Sequence, residues 1–130
     1  MSPLQDLLTG KACGSSLRGR RVLVVEDEYL IAEDLCEELR SCGAVVMGPA
    51  TSVAHALALL NAEPPPDMAV LDIGLPDEKV YPVADALRAR GIPFVFATGY
   101  DAWAIPAAYA EVPRAEKPLG LRGALAFLAL

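Results

Sequence analysis

The chain has one histidine, one tryptophan and three cysteines among 130 residues, and no C-x-x-C pair. An odd number of unclustered cysteines indicates neither a disulfide framework nor a zinc site, so Cys13, Cys36 and Cys42 are expected as reduced, structural thiols. His55 stands alone in an alanine- and leucine-rich stretch, which suits a helix-surface residue better than a ligand. Basic residues are in deficit. Eleven Lys and Arg face seventeen Asp and Glu, a net charge of -6, the wrong sign for a polyanionic backbone, so nucleic acid is not expected as a direct partner. Hydrophobic residues make up 54% of the chain, yet no apolar run reaches the ~18 residues of a membrane-spanning helix. Residues 1–19 hold no apolar stretch with a cleavage site, so they do not read as a secretory signal and form a leader without an assigned role. The expectation is one cytoplasmic domain over 20–130, with no membrane association.

What the chain does have is a recurring pattern. Four short apolar runs, Val22–Val25, Ala44–Met47, Met68–Leu71 and Phe94–Ala97, are continuous rather than alternating. Strands need this when helices cover both faces of a parallel sheet. Between them lie segments of helical period. Ile31, Leu35 and Leu39 recur at intervals of four, with Glu33, Asp34, Glu37, Glu38 and Arg40 on the other face and Gly43 as the stop. A second helix, capped by Thr51 or Ser52, buries Val53, Leu57 and Leu60 and ends before Pro64-Pro65-Pro66. A third starts near Tyr81 and Pro82, turns Val83 and Leu87 inward and ends at Gly91. Strand–helix alternation predicts right-handed crossovers and an open, doubly wound α/β sheet. In the last third, Pro106 restricts residues 101–109 to a short or broken helix. Val112–Glu116 reads as an edge strand because Pro113 cannot donate a ladder hydrogen bond, and Leu119–Leu130 as a terminal helix.

Ligand sites of open α/β sheets form beyond the carboxyl ends of the strands. The first strand ends in Glu26, Asp27 and Glu28, the third in Asp72, the fourth in Thr98, and Lys117 follows the fifth. Several carboxylates at one rim repel unless a cation neutralises them, and hard oxygen ligands suit Mg2+. Alone, the Glu26–Glu28 run could be a helix start favoured by the helix dipole. The residues at the other strand ends argue for a site, and Glu28 keeps the helix-start reading.

Four pieces of sequence then carry a resemblance spanning residues 20–130. Val22-Leu-Val-Val-Glu-Asp-Glu28, Leu71-Asp-Ile-Gly-Leu-Pro-Asp77, Phe96-Ala-Thr-Gly-Tyr100 and Lys117-Pro-Leu119 occur in the order that marks the receiver domains of bacterial response regulators. The resemblance implies a flavodoxin-like (βα)5 fold, a doubly wound five-stranded parallel sheet of order 2-1-3-4-5. It makes Asp72 the nucleophile that takes a phosphoryl group from a phosphohistidine. Asp27 and Asp72 would coordinate Mg2+, Glu26 directly or through water, and the Gly74 carbonyl would complete the protein ligands. Lys117, before a cis bond to Pro118, would pair with Asp72 and then with the phosphoryl group. Thr98 would bond a phosphoryl oxygen and draw its loop inward, and Pro76 fits the usual loop shape.

Two departures narrow this picture. The aromatic that most receivers carry three positions before the lysine is Arg114 here. Tyr100 instead follows Thr98 by two, which resembles the single-domain subfamily named for a Phe-Ala-Thr-Gly-hydrophobic-Tyr motif, though Tyr100 directly follows Gly99. Tyr100 is therefore a switch or partner candidate; it and Trp103 could equally pack the loop onto the sheet. The interval between Thr98 and Lys117 is short and interrupted, which alters the usual output face.

The implied partners are a histidine kinase or phosphotransfer protein on the input side, meeting the first helix near Ile31 and Leu35, and a downstream signalling protein on the output side. Oligomeric state stays open. The expected form is a switch without an effector module and without turnover of an external substrate; a receiver segment of a hybrid histidine kinase is the variant. An aspartyl-phosphate phosphatase needs a second acid two residues after its nucleophile, where Gly74 stands. A flavin or nucleotide module lacks its glycine-rich loop, since Glu26–Glu28 would repel phosphate.

Overall fold

Arg21–Val25 forms β1, whose last four residues are buried on both faces, as the continuous apolar run requires. The computed structural model describes residues 18–73, 79–98, 106–112 and 114–116, with backbone alone for Ile31, Ala97, Thr98 and residues 114–116. In chain order β1 is followed by α1 (Tyr29–Ser41), β2 (Val45–Ala50), α2 (Val53–Leu60), β3 (Met68–Asp72), α3 (Tyr81–Ala89), β4 (Phe94–Thr98), a 3-10 turn (Ala107–Tyr109) and β5 (Arg114–Glu116). The strands make one five-stranded sheet of order β2-β1-β3-β4-β5, with every pair parallel. This is the expected doubly wound order, with the chain starting in the middle and winding both ways.

Strand residues alternate between two cores. Leu23, Val25, Ala69, Leu71, Phe94 and Phe96 face α2 and α3, whereas Val22, Val24, Met68, Val70 and Val95 face Leu35, Cys36 and Leu39 of α1. Complete burial of a Leu or Val contributes about 1.5–3 kcal/mol, so the sheet is held from both sides. Each helix stops where the sequence predicts. Gly43 at φ 84° ends α1 and Gly91 at φ 68° follows α3, a conformation that costs glycine nothing. Ser52 Oγ accepts the His55 amide at 3.1 Å and so caps α2, while the His55 side chain is exposed. In α2 the fully buried residues are Ala56 and Leu60; Val53 and Leu57 pack at the edge of the core.

Three expectations are corrected. β2 extends past Met47 to Ala50 and carries Gly48 and Pro49; it is the edge strand, where a missing ladder donor is tolerated, and its register with β1 shifts between Leu23 and Val25. β5 begins at Arg114 rather than Val112, because the Val112 amide is already spent on the Tyr109 carbonyl at 3.1 Å. Cys42, expected as a thiol, is disulfide-bonded. Cys36 is the free, buried thiol. Burial raises its pKa, with Arg40 opposing and Glu33 adding to the rise.

After Pro106, residues 107–109 make a single 3-10 turn; the remainder of the expected short or broken helix, 101–105, lies outside the described residues. The leader to residue 17, the terminal helix at 119–130, Pro76, Trp103, Pro113 and Pro118 lie outside the described residues. No helix among the described residues is long and apolar enough to cross a membrane.

Candidate functional site

The site begins with register. In the parallel β1–β3 pair Val25 lies opposite Leu71, so Glu26 and Asp72 come side by side at the carboxyl end of the two central strands. The Glu26 amide continues the ladder by donating to the Ala50 carbonyl at 2.9 Å, which ties the turn after β1 to the end of β2. Glu26 Oε1 in turn accepts the Glu28 amide at 3.1 Å. Backbone geometry on both sides thus fixes one carboxylate.

Glu26 and Asp72 are each 1% exposed and Asp27 is half-buried. One carboxylate oxygen from each of the three lies within 4.8 Å of the others. Asp27 Oδ1 and Asp72 Oδ2 are both shielded from solvent, and both residues take part in further interactions. At that separation two unit charges repel by roughly 3–4 kcal/mol at an effective dielectric of about 20. The amino end of α1, which starts one residue beyond Glu28, offsets only ~0.3–1 kcal/mol per charge. The helix therefore cannot neutralise the cluster, and a divalent cation could. Three carboxylates at one point form a hard oxygen donor set that fits a small, hard cation.

Sequence-predicted residues fall into two groups. Glu26, Asp27 and Asp72 are brought together. Thr98 closes β4 as expected, one residue beyond Ala97, the register partner of Asp72, and faces Glu116 of β5, so Lys117 is next in sequence to that partner. Gly74, Tyr100 and Lys117 themselves lie outside the described residues. Glu28 is exposed at the N-cap of α1 and makes no side-chain cap. Tyr29 and Leu30 beside it are exposed, at 71% and 76%, whereas Leu35 is buried and so is not available as a contact.

Sequence reasoning missed a cluster under β4. Tyr109 stacks on Tyr81 at 4.9 Å and meets Phe96 edge-on at 6.0 Å. Its hydroxyl donates to Asp85, and the Arg88 guanidinium lies 4.7 Å from its ring centre. The available signal was spacing: Tyr81, Asp85 and Arg88 stand at i, i+4 and i+7 of one helix and so share a face.

A parallel 2-1-3-4-5 sheet with a carboxylate cluster at the ends of its first and third strands is a flavodoxin-like, receiver-type fold. No family model matches the chain. The solution structure of SdrG from Sphingomonas melonis Fr1 is 40% identical, with a TM-score of 0.72 over 86% of this chain and 98% of that one. The response regulator PhyR from Brucella abortus is 27% identical, with a TM-score of 0.71 over 92% of this chain and 51% of that one. In sequence, the transcriptional regulatory protein PdtaR of Mycobacterium tuberculosis is 34% identical over 83 residues, which is 63% of this chain and 40% of that protein. The chain belongs to the response-regulator receiver family and so to two-component signalling. It spans about 40% of the length of the curated relatives it matches first.

Proposed function

We propose that the protein is a phosphoacceptor switch in which Asp72 takes a phosphoryl group from the phosphohistidine of a histidine kinase or phosphotransfer protein. The observation that carries this is the convergence of Glu26, Asp27 and Asp72 to within 4.8 Å at the strand ends. In the transfer, an Asp72 carboxylate oxygen bonds to phosphorus as the phosphorus–nitrogen bond breaks, and the departing imidazole keeps the electron pair and takes up a proton. Asp27, Asp72, the Gly74 carbonyl and Glu26, directly or through water, would hold Mg2+. That ion, when bound, supplies charge neutralisation for the carboxylates and the phosphoryl oxygens. Lys117 pairs with the developing charge, and the Thr98 hydroxyl engages a phosphoryl oxygen.

The output is protein contact. A group of about -2 charge replacing a carboxylate biases a two-state loop, and Tyr100, two residues after Thr98, is the candidate switch or partner aromatic. The Phe96–Tyr100 segment, one residue short of the full pattern, supports a place in the Phe-Ala-Thr-Gly-hydrophobic-Tyr group. Exposed Tyr29 and Leu30 beside the cluster supply the apolar contact for the phosphodonor. The setting is cytoplasmic, and turnover of an external substrate is not part of the function. A receiver segment of a hybrid kinase is the second reading; the matched segment covers only 51% of PhyR and 40% of PdtaR, so receivers of this kind also occur within longer chains.

The test is incubation with acetyl phosphate and magnesium, followed by intact-mass measurement. The wild type should gain about 80 Da, one phosphoryl group, and Asp72→Asn should gain nothing. Equal gain in both would overturn the assignment.

A further inference from the structure

Segment 106–112 holds a single 3-10 turn and buries a tyrosine. Its backbone closes on itself: the Tyr109 amide donates to the Pro106 carbonyl at 2.9 Å, and the Val112 amide to the Tyr109 carbonyl at 3.1 Å. Two overlapping turns thus present one ring, 7% exposed as a residue, to the rest of the molecule. Among the described residues, the ring's aromatic, hydrogen-bond and cation partners lie elsewhere in the chain. On α3, Tyr81 stacks on it, Asp85 accepts its hydroxyl and Arg88 covers its face. Arg88 also donates to the Ala108 carbonyl at 2.8 Å and pairs with Glu111. That ion pair is exposed on both sides and holds little by itself. The buried ring and its hydroxyl do most of the holding.

The remaining contact leads back to the site. Phe96, fully buried, meets Tyr109 edge-on at 6.0 Å and Tyr81 at 6.2 Å. It is the register partner of Leu71, the residue before Asp72, and it lies two residues before Thr98 on the same strand. A movement of the carboxyl end of β4 toward Asp72 therefore shifts the edge against which Tyr109 is packed. Edge-to-face ring contacts depend on separation and angle, so this one reports small displacements.

We infer that Tyr109 is a positioning residue coupling the carboxylate site to segment 106–112, a latch held on α3 in the state described and loosened when phosphorylation draws the end of β4 inward. The inference rests on the phosphoacceptor reading. A latch of one ring, the buried Val112 side chain, one hydroxyl bond, the Arg88–Ala108 bond and an exposed ion pair is small beside the sheet, and a modest bias changes its open population. It also gives this chain an aromatic reporter although Arg114 occupies the position where most receivers carry one.

The test is amide hydrogen exchange of residues 107–112 with and without magnesium and beryllium fluoride, with fluorine NMR reporting the adduct at Asp72. In the wild type the adduct should accelerate exchange in this segment severalfold and leave β1 unchanged. Tyr109→Phe keeps the ring and loses the bond to Asp85; its segment should exchange fast from the start, gain little from the adduct, and leave phosphoryl uptake at Asp72 at the wild-type level. Asp85→Asn retains an acceptor oxygen and should behave as wild type, whereas Asp85→Ala should behave as Tyr109→Phe. The latch is overturned if the adduct forms and exchange at 107–112 stays the same or slows, or if Tyr109→Phe responds as the wild type does. Equal acceleration in β1 of the variants would assign Tyr109 an ordinary stabilising role and also overturn it. If no adduct forms, the phosphoacceptor reading fails and the latch fails with it.

Discussion

Val25 and Leu71 face each other across β1 and β3, and that one register sets Glu26 beside Asp72 in the interior of the rim. The pairing is favourable for the sheet and unfavourable for the charges it brings together.

Glu26→Gln should therefore make the metal-free protein more stable. The amide oxygen still accepts the Glu28 amide, while one of the clustered charges disappears. With pair repulsions of roughly 3–4 kcal/mol before relaxation, a net gain on the order of 1–3 kcal/mol is expected. Urea unfolding in chelator checks it, and the added stability from millimolar magnesium should shrink in the variant. A variant less stable than wild type in chelator would show that the cluster is not electrostatically strained.

Asp27→Asn tests the cation more than the fold. Asp27 is half-buried, so solvent screens its repulsion with the other two and the stability change should be smaller than for Glu26→Gln. Magnesium affinity should fall about tenfold or more, equivalent to about 1.4 kcal/mol. Calorimetric titration gives the number directly; unchanged affinity would remove Asp27 from the ligand set.

Gly48→Ala should be costly. Gly48 has φ 109°, and a Cβ there would lie 2.7 Å from the Ala50 nitrogen and 2.8 Å from the Val24 oxygen, both backbone atoms. About 2–4 kcal/mol of destabilisation is expected. Magnesium binding should weaken as well, because the Ala50 carbonyl holds the Glu26 amide. Gly91→Ala is the control: φ is 68° but nothing lies within 4 Å of the added carbon, so only the backbone penalty of about 1–2 kcal/mol should appear. Equal costs at both sites would mean that the close approach at Gly48 relaxes freely.

Tyr109 makes stability depend on alkaline pH. Its hydrogen bond to Asp85 is the main cause of a pKa raised above 10.0, with burial and the Asp85 charge adding to it and Arg88 opposing. A group whose folded pKa is raised contributes stability that is fully present below its unfolded pKa and is lost as pH rises through the folded one. The stability difference between wild type and Tyr109→Phe should thus be constant below pH 10.0 and shift in favour of Tyr109→Phe above it. Denaturation midpoints of the two proteins across that range check the sign.

The sheet and the site were legible for the same reason. Buried parallel strands need continuous apolar runs, and the residues ending those runs mark the rim where ligands bind, so Glu26, Asp27 and Asp72 could be read before any coordinates. The edge was less legible. Gly48 and Pro49 look like a strand terminator, and only the neighbour arrangement reveals that, among the described residues, β2 has no partner on its outer side. Least legible was Tyr109. Its partners Asp85 and Arg88 precede it by 24 and 21 positions, 109 minus 85 and 109 minus 88, and no local period links them. The start of β5 was misread because an apolar Val112 suits a strand, while its amide serves a turn.

The carboxylates stand at the ends of β1 and β3, which are flanked by strands on both sides. The ladder amides of those two strands exchange with solvent only when the sheet itself comes apart. Segment 106–112, fastened by Tyr109, Val112 and a few polar contacts, is expected to open while the sheet stays closed. Proteolysis under native conditions should accordingly cut near 106–112 long before the Glu26–Asp72 rim is lost, and the clipped protein should still take up magnesium.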